Sequence, residues 1–152
     1  TTREVALVEN NTAVYQCRWI NLKITNHHSH WLKNIQYMYL PVAHQEGKFM
    51  MNNNMQTELI KNNLIACQYV NQNRKLAKQK FPYNPNGSIL DIAALTNGRG
   101  NVLAMMPHPE RALYKTQEPD WINDKGKRSG YIKNFEFADG YKIFKNASDY
   151  FK

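Results

Sequence analysis

Two histidines in this chain are each followed, two residues later, by a glutamate: His44-Gln45-Glu46 and His108-Pro109-Glu110. A histidine held by a carboxylate has a fixed tautomer and a stabilised cation, which suits a general base. Pro109 restricts the backbone between His108 and Glu110 and favours one relative geometry. Both pairs follow apolar runs typical of strands, and α/β proteins place functional groups at strand ends. The spacing alone leaves open a histidine that merely hydrogen-bonds a neighbour.

The other reactive side chains carry weaker signals. His27, His28 and His30 match no closed zinc pattern, so we expect a solvated loop and no metal site. Cys17 and Cys67 lack the strand, tight turn and helix that would expose a nucleophile, so we predict that both are packed. The glycines of the chain do not form a phosphate-binding loop.

Composition excludes one class of protein and disfavours others. The chain has 152 residues, 42% of them hydrophobic, and a net charge of +8. No apolar run approaches the ~18 residues of a membrane span, which excludes an integral membrane protein. The basic residues are scattered without interleaved aromatics, so they predict a solvated surface rather than a nucleic-acid site. Two cysteines and no secretory leader predict a cytoplasmic protein with neither membrane nor nucleic-acid partners.

Hydrophobic periodicity predicts the elements that must position these residues. Pro41 indicates that its strand lies at a sheet edge or strand end. Residues 115–130 are polar and predict irregular structure. Strands are predicted at 5–8, 15–24, 37–44, 67–70 and 102–106, and helices at 54–66 and about 140–152, the latter with Ile143, Phe144, Ala147, Tyr150 and Phe151 on one face.

This mixture indicates an α/β or α+β domain with few helices. The chain also begins Thr1-Thr2-Arg3, without methionine. We therefore expect part of the fold to lie upstream of these residues.

Four stretches together carry a specific resemblance over residues 15–113. The chain resembles the C-terminal part of class I (triad-type) glutamine amidotransferases, and in particular the glutaminase of phosphoribosylformylglycinamidine synthases. The stretches are Cys17-Arg18-Trp19-Ile20, Leu40-Pro41-Val42-Ala43-His44-Gln45-Glu46-Gly47-Lys48-Phe49, Asn84-Pro85-Asn86-Gly87-Ser88 and Met105-Met106-Pro107-His108-Pro109-Glu110-Arg111.

The resemblance implies an α/β fold: residues 1–152 would be the C-terminal portion of one flavodoxin-like, three-layer glutaminase domain. It implies hydrolysis of glutamine to glutamate and ammonia, with His108 and Glu110 as two members of a Cys-His-Glu triad. It also suggests His44 and Arg18 as substrate-binding or interface residues. The ammonia would serve ATP-dependent amidation of formylglycinamide ribonucleotide on a synthetase component. ATP and magnesium are expected there, and no cofactor is expected in this chain.

One departure from the family pattern leaves alternatives open. The family's nucleophile lies in a Gly-x-Cys-Asn-Gly elbow, and these residues contain no such elbow. The chain could be part of an active glutaminase whose N-terminal half supplies the cysteine. It could instead be a truncated, inactive product that acts at most as an interaction surface. A basic binding module with a misleading resemblance is the third possibility.

Overall fold

A computed structural model describes residues 4–121 and 136–152. Much of the polar segment 115–130 lies outside this part, so the irregular structure predicted there stays a prediction. The described residues form seven strands and two helices: β1 (Val5–Val8), β2 (Gln16–Ile24), β3 (Tyr37–His44), β4 (Lys48–Met51), α1 (Asn53–Lys61), β5 (Ile65–Val70), β6 (Ile92–Thr96), β7 (Leu103–Met105) and α2 (Asp139–Tyr150).

The main sheet has five strands in the order β3-β2-β5-β6-β7, and each neighbouring pair is antiparallel. Apolar side chains alternate along β2 and therefore lie on one face of the strand, which is the buried face. Ile20, Leu22 and Ile24 point into the core, as their two-residue spacing predicts. Opposite them on β3, Leu40 pairs with Ile20 and is also buried. A separate two-stranded sheet joins β1 to β4.

The main sheet curls so that its two edges approach each other. β7 lies at one edge and β3 at the other. The chain leaves β7, and His108 then donates its backbone N–H to the carbonyl of Pro41 on β3, at 2.8 Å. Pro41 has no amide hydrogen to offer a neighbouring strand, and the prediction that it marks an edge is confirmed.

The helix predicted at residues 54–66 ends earlier than its hydrophobic spacing suggests. α1 stops at Lys61, and Asn63 adopts a left-handed conformation with φ of 53°. Asparagine tolerates this conformation better than most residues, so it can terminate a helix. The chain can then begin β5 at Ile65, two residues before the predicted strand.

The last helix, α2, is shorter and less buried than predicted. It spans Asp139–Tyr150, and Ile143 is buried. Phe144 and Phe151 are exposed, so the prediction that they share the buried face is wrong. Successive helical residues are rotated by about 100°, which turns Phe144 away from the core that receives Ile143. Within the two described ranges, no helix has the length and apolar character needed to cross a membrane.

The core packing predicts a large loss from truncating β2. Leu22 is completely buried, so Leu22→Ala should lower the free energy of unfolding by about 2–5 kcal/mol, through lost burial and an unfilled cavity. Urea denaturation measures this change. The matched control is Leu76→Ala, because Leu76 is 44% exposed and its truncation should cost under about 1 kcal/mol. Equal losses for the two variants would contradict this assignment of the core.

Candidate active site

His108 and Glu110 form a direct pair, as one of the two His-x-Glu spacings predicts. His108 Nδ1 lies 2.7 Å from Glu110 Oε1. Pro109 opens a 3₁₀ turn, Pro109–Arg111, while His108 before it is extended, and this change of conformation directs both side chains to the same side. Arg111 Nε also approaches Glu110 Oε1, at 3.8 Å.

The other ring nitrogen of His108 is free. Nε2 is buried and has no hydrogen-bond partner among residues 4–121 and 136–152. When Nδ1–H donates a hydrogen bond to a carboxylate, the proton of the neutral ring is on Nδ1. Nε2 then carries the lone pair that can take a proton from a reacting group. A buried polar atom without a partner is uncommon and requires an explanation. The arrangement places a carboxylate on one ring nitrogen of His108 and, among the described residues, leaves the other without a hydrogen-bond partner.

The second His-x-Glu spacing does not bring its two side chains together: His44 and Glu46 are not hydrogen-bonded to each other. Glu46 is exposed, whereas His44 is 5% exposed, and the ring of His44 contacts Asn10 instead. The strand ends at His44, and the following turn directs Glu46 outward. A Cβ on Gly47 would lie 2.5 Å from the His44 ring, so this glycine permits the turn to close over the ring.

The hydrogen bonds of His44 define its tautomer. Asn10 uses its Nδ2 on the carbonyl oxygens of Val14 and His44, so its Oδ1 faces the ring at 3.0 Å. His44 Nδ1 therefore donates to Asn10, and Nε2 lies 3.5 Å from Asn86 Nδ2. Burial lowers the pKa of His44, and the nearby His108 lowers it further, against the opposing effect of its own backbone hydrogen bond. Burial of the ring thus favours the neutral form of His44.

His44 is buried within the protein, and its expected substrate-binding or interface role stays a prediction. The His44 ring lies against a network of polar side chains that includes Asn10, Asn86 and Ser88. Asn86 Nδ2 donates to the carbonyl of Gly47 at 2.6 Å, and Asn86 Oδ1 accepts from Ser88 Oγ at 2.7 Å. Ser88 Oγ in turn accepts the N–H of Phe49 on β4, at 3.0 Å. The network fixes the turn after β3.

Sequence reasoning missed Asn10 and Asn86 as the ring partners of His44. The Asn84-Pro85-Asn86-Gly87-Ser88 stretch contributed only to the resemblance, although its residues are buried. Asn10 lies 34 residues from His44. No local spacing could have connected the two.

Arg18 makes its contacts within the protein. Its Nε donates to Gln16 Oε1 at 3.1 Å, and its guanidinium lies 4.5 Å from the centre of the Phe81 ring. These contacts neither require nor exclude a binding role. The expected substrate or interface role of Arg18 stays a prediction.

The two cysteines differ in solvent exposure. Cys67 is fully buried, as predicted, and burial raises the pKa of its thiol to about 12. Thiolate is the nucleophilic form, so Cys67 is inert at neutral pH. Cys17 is exposed, so the prediction that it is packed is wrong. It alternates with buried Gln16 on β2 and points to the opposite face.

The loop with His27, His28 and His30 lies within the described part of the chain. No group of three potential ligands comes together there. His27 and His28 are exposed, as the solvated-loop prediction requires. His30 instead stacks on Tyr150 of α2, with ring centres 4.3 Å apart.

Comparison with known proteins identifies the family. The model of the CobB/CobQ-like glutamine amidotransferase domain matches residues 1–151, and the chain belongs to this family. The curled sheet with two helices is thus an α/β fold, a partial glutamine amidotransferase domain.

Among its relatives are PurQ subunits of phosphoribosylformylglycinamidine synthase. The subunit from Methanococcus maripaludis (strain C7) is 36% identical over 148 residues, which are 96% of this chain and 54% of the relative. The subunit from Dehalococcoides mccartyi is 34% identical over 146 residues, covering 95% and 52%. This chain therefore spans about half the length of these curated relatives.

A solved structure has the same fold. The structure of PurLQS from Thermotoga maritima superimposes with a TM-score of 0.63 at 22% identity. The match covers 99% of this chain and 54% of that one.

The buried neutral His44 predicts a pH-dependent stability. Its pKa lies below the ordinary 6.5, so the unfolded chain binds more protons as the pH falls below that value. The stability from the neutral ring is complete above pH 6.5 and declines toward the folded-state pKa, by at most about 1.4 kcal/mol per pH unit. Urea denaturation of the unchanged chain and of His44→Gln between pH 7.5 and about 5 measures this loss.

The control for this experiment is His27→Gln, which removes an exposed histidine. It should keep the full pH dependence, whereas His44→Gln should flatten it. Identical pH slopes for the unchanged chain and His44→Gln would show that His44 is not held neutral by burial.

Proposed function

We propose that this chain provides the His-Glu part of a glutaminase that hydrolyses glutamine to glutamate and ammonia. The observation that carries the proposal is the pair at 2.7 Å between His108 Nδ1 and Glu110 Oε1, with Nε2 left free. The proposal is further supported by family membership over residues 1–151. The nucleophilic cysteine would come from the N-terminal half of the glutaminase, outside these residues.

The chemistry follows from the two ring nitrogens of His108. Nε2 takes the thiol proton, and the sulfur attacks the side-chain amide carbon of glutamine to form a tetrahedral oxyanion. Nε2 then returns that proton to the leaving nitrogen, which releases ammonia and leaves a thioester. Next, Nε2 takes a proton from water, whose oxygen attacks the thioester, and the thiol regains its proton as glutamate departs. Glu110 stabilises the imidazolium at each stage through Nδ1.

We further propose that the ammonia is delivered to a synthetase component, which uses it to amidate formylglycinamide ribonucleotide in purine biosynthesis. Support comes from relatives that carry the name of a phosphoribosylformylglycinamidine synthase subunit. ATP and magnesium would act on that component, and His108 and Glu110 require neither. The cytoplasm is the expected location of this reaction. Arg18 is retained as a candidate contact for glutamine or the synthetase.

A second candidate function, an inactive glutaminase-like chain, is favoured by the environments of the two cysteines. Cys67 is buried with a raised thiol pKa, and Cys17 lies within a strand without a nucleophile elbow. Without a thiolate from elsewhere, the His108–Glu110 pair would have nothing to activate.

Removal of the base should abolish turnover in the completed glutaminase. His108→Ala should lower kcat for glutamine hydrolysis by several orders of magnitude, about 10⁴-fold, because no group then moves the proton. Glu110→Ala should cost less, since Glu110 orients the base. Ammonia release measures both effects.

His28→Ala is the matched control, because His28 lies exposed in a loop and its loss should leave kcat unchanged. Near-normal ammonia release from His108→Ala would refute the assignment of the base. Equal losses from His28→Ala and His108→Ala would indicate a general defect in folding or assembly.

The 152-residue chain alone should neither release ammonia from glutamine nor react with a diazoketone analogue of glutamine. The physical reason is that Cys67 stays protonated and Cys17 lacks the elbow that would activate it. Intact mass after incubation measures labelling, and adding the missing half should produce labelling there. A mass increase located on Cys17 would overturn this expectation and make Cys17 the nucleophile.

A further inference from the structure

We propose that the first turn of α2, through Gly140 and Asp139, positions His108 and Glu110 for the reaction. This inference rests on the proposed function, because it assigns these residues a role in that same site. Neither residue touches substrate in the proposal, so both are positioning residues. Their effect would pass through the backbone of the turn that follows His108.

Gly140 lies directly against that turn. It is buried, and its N–H donates to the carbonyl of Ala112 at 2.9 Å. A Cβ at this position would overlap the carbonyl oxygen of Pro109 and lie 2.7 Å from that of Ala112. Pro109 is the residue between His108 and Glu110. The absence of a side chain at Gly140 therefore permits α2 to approach the segment that sets the geometry of the pair.

Asp139 fixes the same turn of α2 to the edge strand. Its Oδ2 accepts the backbone N–H of Tyr39 at 2.8 Å. Two residues along the same strand, the carbonyl of Pro41 accepts the N–H of His108 at 2.8 Å. Residues two apart on a strand direct their backbone groups to the same side. The helix start and the His108 turn are thus attached to neighbouring points of β3.

These contacts form a closed connection: β3 to His108, His108 to Ala112 along the turn, Ala112 to Gly140, and Asp139 back to β3. A side chain added at Gly140 would meet backbone oxygens, which cannot move aside like the end of a flexible side chain. The turn or the helix would have to shift. A shift of about 1 Å in a catalytic group can lower a rate about 10²-fold.

The test compares Gly140→Ala with two controls. Gly98→Ala adds the same methyl group where nothing lies within 4 Å. Asn146→Ala weakens the docking of α2 elsewhere, because Asn146 Nδ2 donates to the carbonyls of Trp31 and Lys33, at 2.9 Å each. Asn146→Ala therefore shows how the proton signal and kcat respond when the docking of α2 is weakened away from the His108 turn.

Two measurements are made on each variant. The first is the proton NMR signal of His108 Nδ1–H in the 152-residue chain, assigned by its loss in His108→Gln. The second is kcat and KM for glutamine in the completed glutaminase. Gly140→Ala should shift or broaden the proton signal and lower kcat about 10²-fold, with KM changed less than about twofold. Both controls should leave the signal and kcat unchanged.

An unaltered proton signal and an unaltered kcat in Gly140→Ala would overturn the inference. So would an equal loss of kcat in Asn146→Ala, since α2 would then act only through stability. If the unchanged completed glutaminase shows no turnover, the proposed function fails, while the proton signal still reports on positioning.

If Gly140→Ala does not fold, Asp139 provides the test. Asp139→Ala removes the acceptor for Tyr39 N–H without adding atoms and should lower kcat. Asp139→Asn keeps a side-chain oxygen and should restore most of it. Equal kcat values for Asp139→Ala and Asp139→Asn would contradict the inference.

Discussion

One backbone hydrogen bond, from the N–H of His108 to the carbonyl of Pro41, determines the arrangement of the candidate site. It attaches the segment after β7 to the opposite edge of the same sheet and so requires the sheet to curl. Pro41 suits this position, because an edge strand tolerates a residue without an amide hydrogen. With His108 held there, the short turn through Pro109 brings Glu110 to the ring, and Gly140 of α2 lies directly against that turn.

The second feature of the site is a set of buried amide side chains beside it. Asn10 and Asn86 pair the N–H and the carbonyl of Gly47, which the turn after β3 would otherwise leave unpaired. Burial lowers the pKa of His44, which favours its neutral form.

Local features were predictable where one energetic effect dominates. The alternation of Ile20, Leu22 and Ile24 predicted the buried face of β2, because burial favours one side of a strand. Pro41 predicted an edge, and the two-residue spacing predicted the His108–Glu110 pair. The same spacing failed at His44, where Asn10, distant in sequence, offered a better partner for the ring.

Local patterns therefore predicted β1, β2, β3, β5, β7 and the His108–Glu110 pair, because each depends on residues close together in the chain, and the four motif stretches indicated the family. The strands β4 and β6 were not predicted. Contacts between distant segments decided that Cys67 is buried while Cys17 is exposed, and that α2 begins against the His108 turn. The physical reason is that burial and hydrogen bonding depend on partners brought together by the curled sheet. Gly140 shows this directly, because its lack of a side chain matters only once Pro109 lies beside it.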